Sequence, residues 1–195
     1  GLVRGGVAPD HQKIKNVIRV YHKIASDPKV RFFGNVRLGG DLSIDDLMAN
    51  YDQVVLATGN ESDRKMGIEG ESLEGVYSAT EFVGWYNGHP DFQDLDFDLT
   101  SVQRVAVVGN GNVAIDVARI LAQDTEILAK TDITDAALTA LRTSTVTDVV
   151  MLGRRGPAQA AFSPKEIKDM GELHGADLVL DPEEIALDDV SRTWL

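Results

Sequence analysis

The chain contains no cysteine. That excludes disulfides, thiolate zinc sites, iron-sulfur ligation by these residues and any Cys-x-x-Cys dithiol relay. Its 4 histidines are scattered and form no ligand pattern, so no metal site is expected. No run approaches the roughly eighteen apolar residues of a membrane span, and no charged segment followed by an apolar one opens the chain. Positive charge is scarce as well, with 19 Lys and Arg against 31 Asp and Glu and a formal charge of -12. Neutralising phosphates along a polymer needs a basic face, so nucleic acid is not an expected partner. A soluble, cytoplasmic protein is expected. The charge is unevenly spread, because residues 1–37 carry eight Lys and Arg against two Asp, leaving -18 for the remainder. Such a basic segment can steer an acidic protein partner, or be a solvated helix face.

What is present is most informative between Val102 and Ala114, VQRVAVVGNGNVA. An apolar run, Val105 to Val108, reads as a buried parallel strand, and Val113, Val117, Ile120 and Leu121 follow with helical spacing. Between them Gly109 allows a tight turn, Gly111 lets backbone approach a pyrophosphate, and Ala114 lets the helix pack closely on the strand. The next strand, Asp148 to Gly153, leads into Arg154-Arg155, forty-three residues after Gly111. An NAD site places Asp or Glu at this point, whereas two guanidinium forks suit the 2'-phosphate of NADP; a solvated basic turn is the alternative reading. The interval exceeds the usual spacing of about 20 residues, and Asp135 to Leu141 reads as a helix inserted within it.

Around this unit, Ile14, Val17, Ile18, Tyr21, Ile24 and Ala25 have the spacing of an amphipathic helix. Ser43 is placed to cap a helix from Ile44 to Asn50, and Thr80 to Tyr86 reads as a further capped helix. Strands are expected at Val30 to Phe33, Asp52 to Ala57, Gly75 to Ser78 and Ala176 to Leu180. Ser163-Pro164-Lys165-Glu166 has the spacing of a capping box with proline in the first turn. Residues 60–75 and 92–101 read as loops or linkers.

Several of these stretches together resemble one family. They are Gly1 to His11 (GLVRGGVAPDH), Phe33 to Val36, Tyr51 to Gly59, Phe82 to Asn87, Gly109 to Leu121, and Gly153 to Phe162 (GRRGPAQAAF) followed by Glu166. They resemble ferredoxin-NADP reductases of the adrenodoxin reductase type. The resemblance implies a Rossmann-like, doubly wound α/β NADP-binding domain with part of a flanking FAD-binding domain. It places the partial FAD-binding domain at 1–62 and the NADP-binding domain at 63–195, and it makes the chain an internal fragment, since the glycine fingerprint for FAD is absent.

Position by position, the resemblance implies NADP contacts at Asn110, Gly111, Asn112, Val113, Arg154, Arg155 and Glu166, although Glu166 has a purely structural reading in its capping box. It implies FAD contacts at Leu2 and Val36, where core packing is the alternative. His11 matches a histidine near the flavin, or simply opens a helix; Asp169 stands where the family carries Glu. Hydride transfer itself needs no acid or base from these residues, so no catalytic residue is assigned beyond the candidates His11 and Asp169. The implied activity is hydride exchange between NADPH and FAD, then electron transfer with a ferredoxin-type iron-sulfur protein. Two other readings stay open: a fragment of a reductase like the glutamate synthase small subunit, and a stand-alone NADP-binding module without catalysis.

Overall fold

The computed structural model describes residues 6–59, 63–154, 156–187 and 189–194. These form two compact units. One joins the stretch that ends at Ile14 to everything from Arg64 onward, and the other is Lys15–Asp63. The chain therefore passes between units within the short helix α1 (Gln12–Lys15) and again after Asp63.

The larger unit is built on two parallel strands, β1 (Arg104–Val108) and β2 (Asp148–Leu152), paired from Arg104 with Asp148 to Val108 with Leu152. Their branched residues suit a pleated surface, and parallel neighbours require a crossover. That crossover is helical: α5 (Asn112–Ala122), α6 (Thr125–Leu128) and α7 (Asp135–Arg142). Asp124 and Thr134 start the last two by accepting from the N-H groups of Glu126 and Ala137. The long interval before the arginine pair thus holds two short helices, α7 lying where one was expected. Helix α4 (Ala79–Tyr86) precedes β1. A 3-10 turn (Pro157–Gln159), α8 (Pro164–Gly171) and α9 (Asp189–Trp194) follow β2.

Helix α5 organises this unit because it is apolar on two faces. Ile115 and Ala118 meet Val107 of β1 and Met170 of α8, with Val149, Met151 and Phe162 packed around them. Ile120 lies in a second cluster with Phe82, Trp85 and Tyr86 of α4, Phe97, Leu99, and Leu138 and Leu141 of α7. Ile115, Ile120, Leu128 and Tyr86 are fully buried, each aliphatic one contributing roughly 1.5–3 kcal/mol of transfer free energy.

The smaller unit contains α2 (Ile18–Ala25) and α3 (Ile44–Asn50). Ser43 caps α3 in a closed box, its hydroxyl accepting from Asp46 N-H while the Asp46 carboxylate accepts from Ser43 N-H. The single amphipathic helix expected from Ile14 to Ala25 is interrupted at Asn16 and Val17, and Ile18, Tyr21 and Ile24 of its apolar stripe are exposed.

Strand formation departs from the sequence expectation. Among the described residues the sheet has two strands, and the runs at Val30 to Phe33, Asp52 to Ala57, Gly75 to Ser78 and Ala176 to Leu180 join no ladder. Each is apolar enough to pair. A strand, however, is completed by hydrogen bonds to a neighbour, and none of the described residues pairs with these runs; Val55 and Val179 are 85% and 87% exposed.

Candidate functional site

The glycine turn leaves the carboxyl end of β1, and Gly153-Arg154 leaves the same end of β2. Ligand crevices of open α/β sheets lie at such ends. A Cβ on Gly109 would come within 3.1 Å of the Ala114 Cβ, so glycine here lets α5 sit close to its strand. A Cβ on Gly111 would meet nothing within 4 Å, leaving its backbone open to approach. Gly111 is also the N-cap of α5 and offers no side-chain acceptor. No side chain therefore caps the start of this eleven-residue helix, a kind of terminus that favours anions.

The turn and the loop after β2 are bonded to each other. Gly109 N-H donates to Leu152 C=O at 3.0 Å and Ala161 N-H to Asn110 C=O at 2.8 Å. Ser163 N-H donates to the Asn112 side-chain oxygen at 2.9 Å. Asn112, Val113 and Arg154 are exposed at this edge. Val36 lies in the other unit, 47% exposed, beside a shallow concavity lined by Asn35, Arg37, Gly40 and Asp41. Leu2 and Arg155 fall outside the described residues.

A second set of groups is brought together by α5, α8 and the segment before α1. His11, Asp116, Arg119 and Glu166 are all buried, and Asp10 joins them through an ion pair from its Oδ2 to Arg119 Nη2. His11 Nε2 lies 2.9 Å from Asp116 Oδ1 and 3.3 Å from Glu166 Oε2. Arg119 Nη1 lies 3.2 Å from Asp116 Oδ1, 3.1 Å from His11 Nε2 and 3.7 Å from Glu166 Oε2. His11 Nε2 can donate to the carboxylate, whereas Arg119 can only donate. We therefore assign the Nε2 hydrogen to Asp116, the shorter contact. Three carboxylates then face one guanidinium and one imidazole.

The hydrogen bond to Asp116 raises the His11 pKa above its ordinary 6.5 against the opposing effect of burial, and the charges of Asp116 and Glu166 raise it further. The Tyr86 hydroxyl is raised by burial and by Asp116. Asp169 is held below the usual carboxylate range, first by its 2.6 Å hydrogen bond with Lys165.

The structure therefore brings the sequence candidates His11, Glu166 and Asp169 together, with one potential ligand atom from each inside a 4.8 Å span. Arg119 and Lys165 already supply positive charge to this group. The cluster is thus a salt-bridge network and a poor cation cage. Glu166 does not close the expected capping box: Ser163 Oγ accepts from Glu166 N-H at 3.3 Å, but the Glu166 carboxylate turns inward and Asn112 takes the Ser163 N-H. Its Oε2 makes close charge contacts without hydrogen-bond geometry to any described residue. Sequence reasoning missed Asp10, Asp116 and Arg119. A signal was available, since Asp116 and Arg119 interrupt the apolar pattern of α5 three residues apart.

With this geometry in view, known proteins place the chain. It is 51% identical over 185 residues to the NADPH-ferredoxin reductase FprA of Mycobacterium tuberculosis, covering 95% of this chain and 40% of that protein. It is 51% identical over 184 residues to the mitochondrial NADPH:adrenodoxin oxidoreductase of Mus musculus, covering 94% of this chain and 37% of that protein. A solved structure of M. tuberculosis FprA in complex with NADPH superposes with a TM-score of 0.89 at 51% identity, covering 95% of this chain and 41% of that one. The chain thus spans about two fifths of these relatives and shares their Rossmann-like α/β fold. A family pattern described as pyridine nucleotide-disulphide oxidoreductase matches residues 6–155, and the chain belongs to that family.

Proposed function

We propose that this chain carries the NADP(H) site of a FAD-dependent reductase that exchanges electrons with a ferredoxin-type iron-sulfur protein. The observation that carries the reading is the bonded pairing of the glycine turn with the Arg154 loop at the carboxyl ends of neighbouring parallel strands. The helix start at Gly111, Asn112 and Val113, which has no side-chain cap, suits a pyrophosphate, and Arg154 with Arg155 suits a 2'-phosphate. The names of the relatives above support the nucleotide and the iron-sulfur partner. Residues 1–62 would belong to the FAD-binding part of the longer protein and 63–195 to its NADP-binding part.

When bound, the flavin supplies the hydride and single-electron chemistry. The residues of this chain bind and orient the nucleotide, and the cluster of His11, Asp116, Arg119 and Glu166 fixes charge where α5 meets α8. A nucleotide titration tests the reading. Replacing both Arg154 and Arg155 by Ala should weaken NADPH binding tenfold or more, on the scale of about 1.4 kcal/mol per decade, and leave NADH nearly unchanged. Equal losses for the two nucleotides would make the pair a structural turn.

A further inference from the structure

The loop Gly153 to Phe162 bears the arginine pair and is tied to the glycine turn at both ends. At its start the tie is Gly109 N-H to Leu152 C=O, and near its end Ala161 N-H to Asn110 C=O, both between backbone groups that almost any sequence supplies. A further tie is made by a side chain. Ser163 N-H donates to the Asn112 side-chain oxygen across 51 positions. Because the donor is a backbone N-H, the accepting atom must be the amide oxygen, and its orientation is fixed by the bond.

The tie also has a counterpart elsewhere in the chain that shows what it replaces. Ser43 and Ser78 open α3 and α4, and in each the third helical residue, Asp46 or Glu81, returns its carboxylate to the serine N-H. Ser163 has Glu166 in the same place, yet its N-H goes to Asn112. One amide thus joins the first turn of α5 to the cap of α8 and leaves Glu166 to the buried cluster.

The geometry points to Asn112 as a positioning residue that holds the arginine loop against the pyrophosphate turn and so sets the preference for NADPH over NADH. This rests on the NADP reading above. The two possible roles of Asn112 separate cleanly, because both dinucleotides carry the pyrophosphate and only NADPH carries the 2'-phosphate. A side chain that binds pyrophosphate would matter equally to both. One that positions the arginine loop matters to NADPH alone.

The test compares Kd for NADPH and NADH in this chain, in Asn112→Ala and in Asn112→Asp. Losing one hydrogen bond at an exposed edge should reduce the NADPH-to-NADH preference about fivefold in Asn112→Ala, through weaker NADPH binding. Asn112→Asp keeps an acceptor for Ser163 N-H but adds negative charge beside the shared pyrophosphate. Both affinities should then fall together while the preference stays as in the parent chain. Equal losses for both nucleotides in Asn112→Ala, or a lost preference in Asn112→Asp, would overturn the inference. If the parent chain shows no preference for NADPH, the NADP reading fails, and amide hydrogen exchange at Ser163 judges the tether by itself. Faster exchange in Asn112→Ala but not in Asn112→Asp supports it, and unchanged exchange in Asn112→Ala refutes it.

Discussion

Helices α4 and α8 begin with the same four-residue pattern, Ser78 to Glu81 and Ser163 to Glu166, and end in different chemistry. At α4 the box closes locally, with Glu81 N-H on Ser78 Oγ at 3.1 Å and Ser78 N-H on the Glu81 carboxylate at 2.7 Å. At α8 the hydroxyl keeps its role, but a residue from another helix supplies the second acceptor and the glutamate is buried among His11 and Arg119. A local motif fixes where a helix starts. What becomes of its last side chain depends on what the fold offers nearby.

The most damaging way to break the comparison is to remove what captures Glu166. Arg119→Met would leave buried Asp116 and Glu166 and half-buried Asp10 without their guanidinium, and urea unfolding should show a loss of roughly 3–5 kcal/mol. The same change at Arg142, which pairs with Glu126 on the surface, should alter stability by less than about 1 kcal/mol. A loss at Arg119 no larger than at Arg142 would mean that the buried network is not held by that charge.

Next in size is a pH effect confined to the α8 side. The folded pKa of His11 is raised from 6.5, first by its hydrogen bond with Asp116. Its contribution is therefore fully present below about pH 6.5 and is lost as pH rises through the higher folded value. Thermal melts should show this decline in the parent chain, and a flatter profile in His11→Gln. Glu166→Gln removes one charge that raises His11, so the imidazole should titrate lower by NMR. Glu81→Gln should leave it where it is.

The smallest effects concern the caps. Ser78→Ala and Ser163→Ala should each cost about 1 kcal/mol in urea unfolding, since both hydroxyls cap a first turn. Glu81→Ala should cost a few tenths to 1 kcal/mol by opening the α4 box. The matching carboxylate at α8 has no such role, so Glu166→Ala should leave hydrogen exchange at Ser163 N-H unchanged while Glu81→Ala speeds it at Ser78. Faster exchange at both serines would show that the two starts are alike after all.

Much of this architecture was legible because its causes are local. The branched runs ending in Gly109 and Gly153, the helical spacing after Gly111, and the caps at Ser43 and Ser163 are each set within a few residues. Ladders were less legible. Val54 to Ala57 and Leu178 to Leu180 have the composition of strands, but composition does not provide the neighbour with which a strand bonds. Of the candidate site, the glycine turn and Arg154 could be read from the residues themselves, and His11 came only from the family resemblance. Asp116 and Arg119 were passed over because they sit inside an otherwise apolar helix.

By itself, then, the sequence determined the helix starts at Ser43 and Ser163, the strand, turn and helix order of the nucleotide site, and the residue types offered at its edge. Only the tertiary structure decided which of those residues act together. His11 and Asp116 stand 105 positions apart and Asn112 and Ser163 stand 51 apart. Local propensity has no reach over such separations; the crossover between β1 and β2 and the packing of α5 against α8 bring them into contact, and burial then gives their charges and hydrogen bonds their strength.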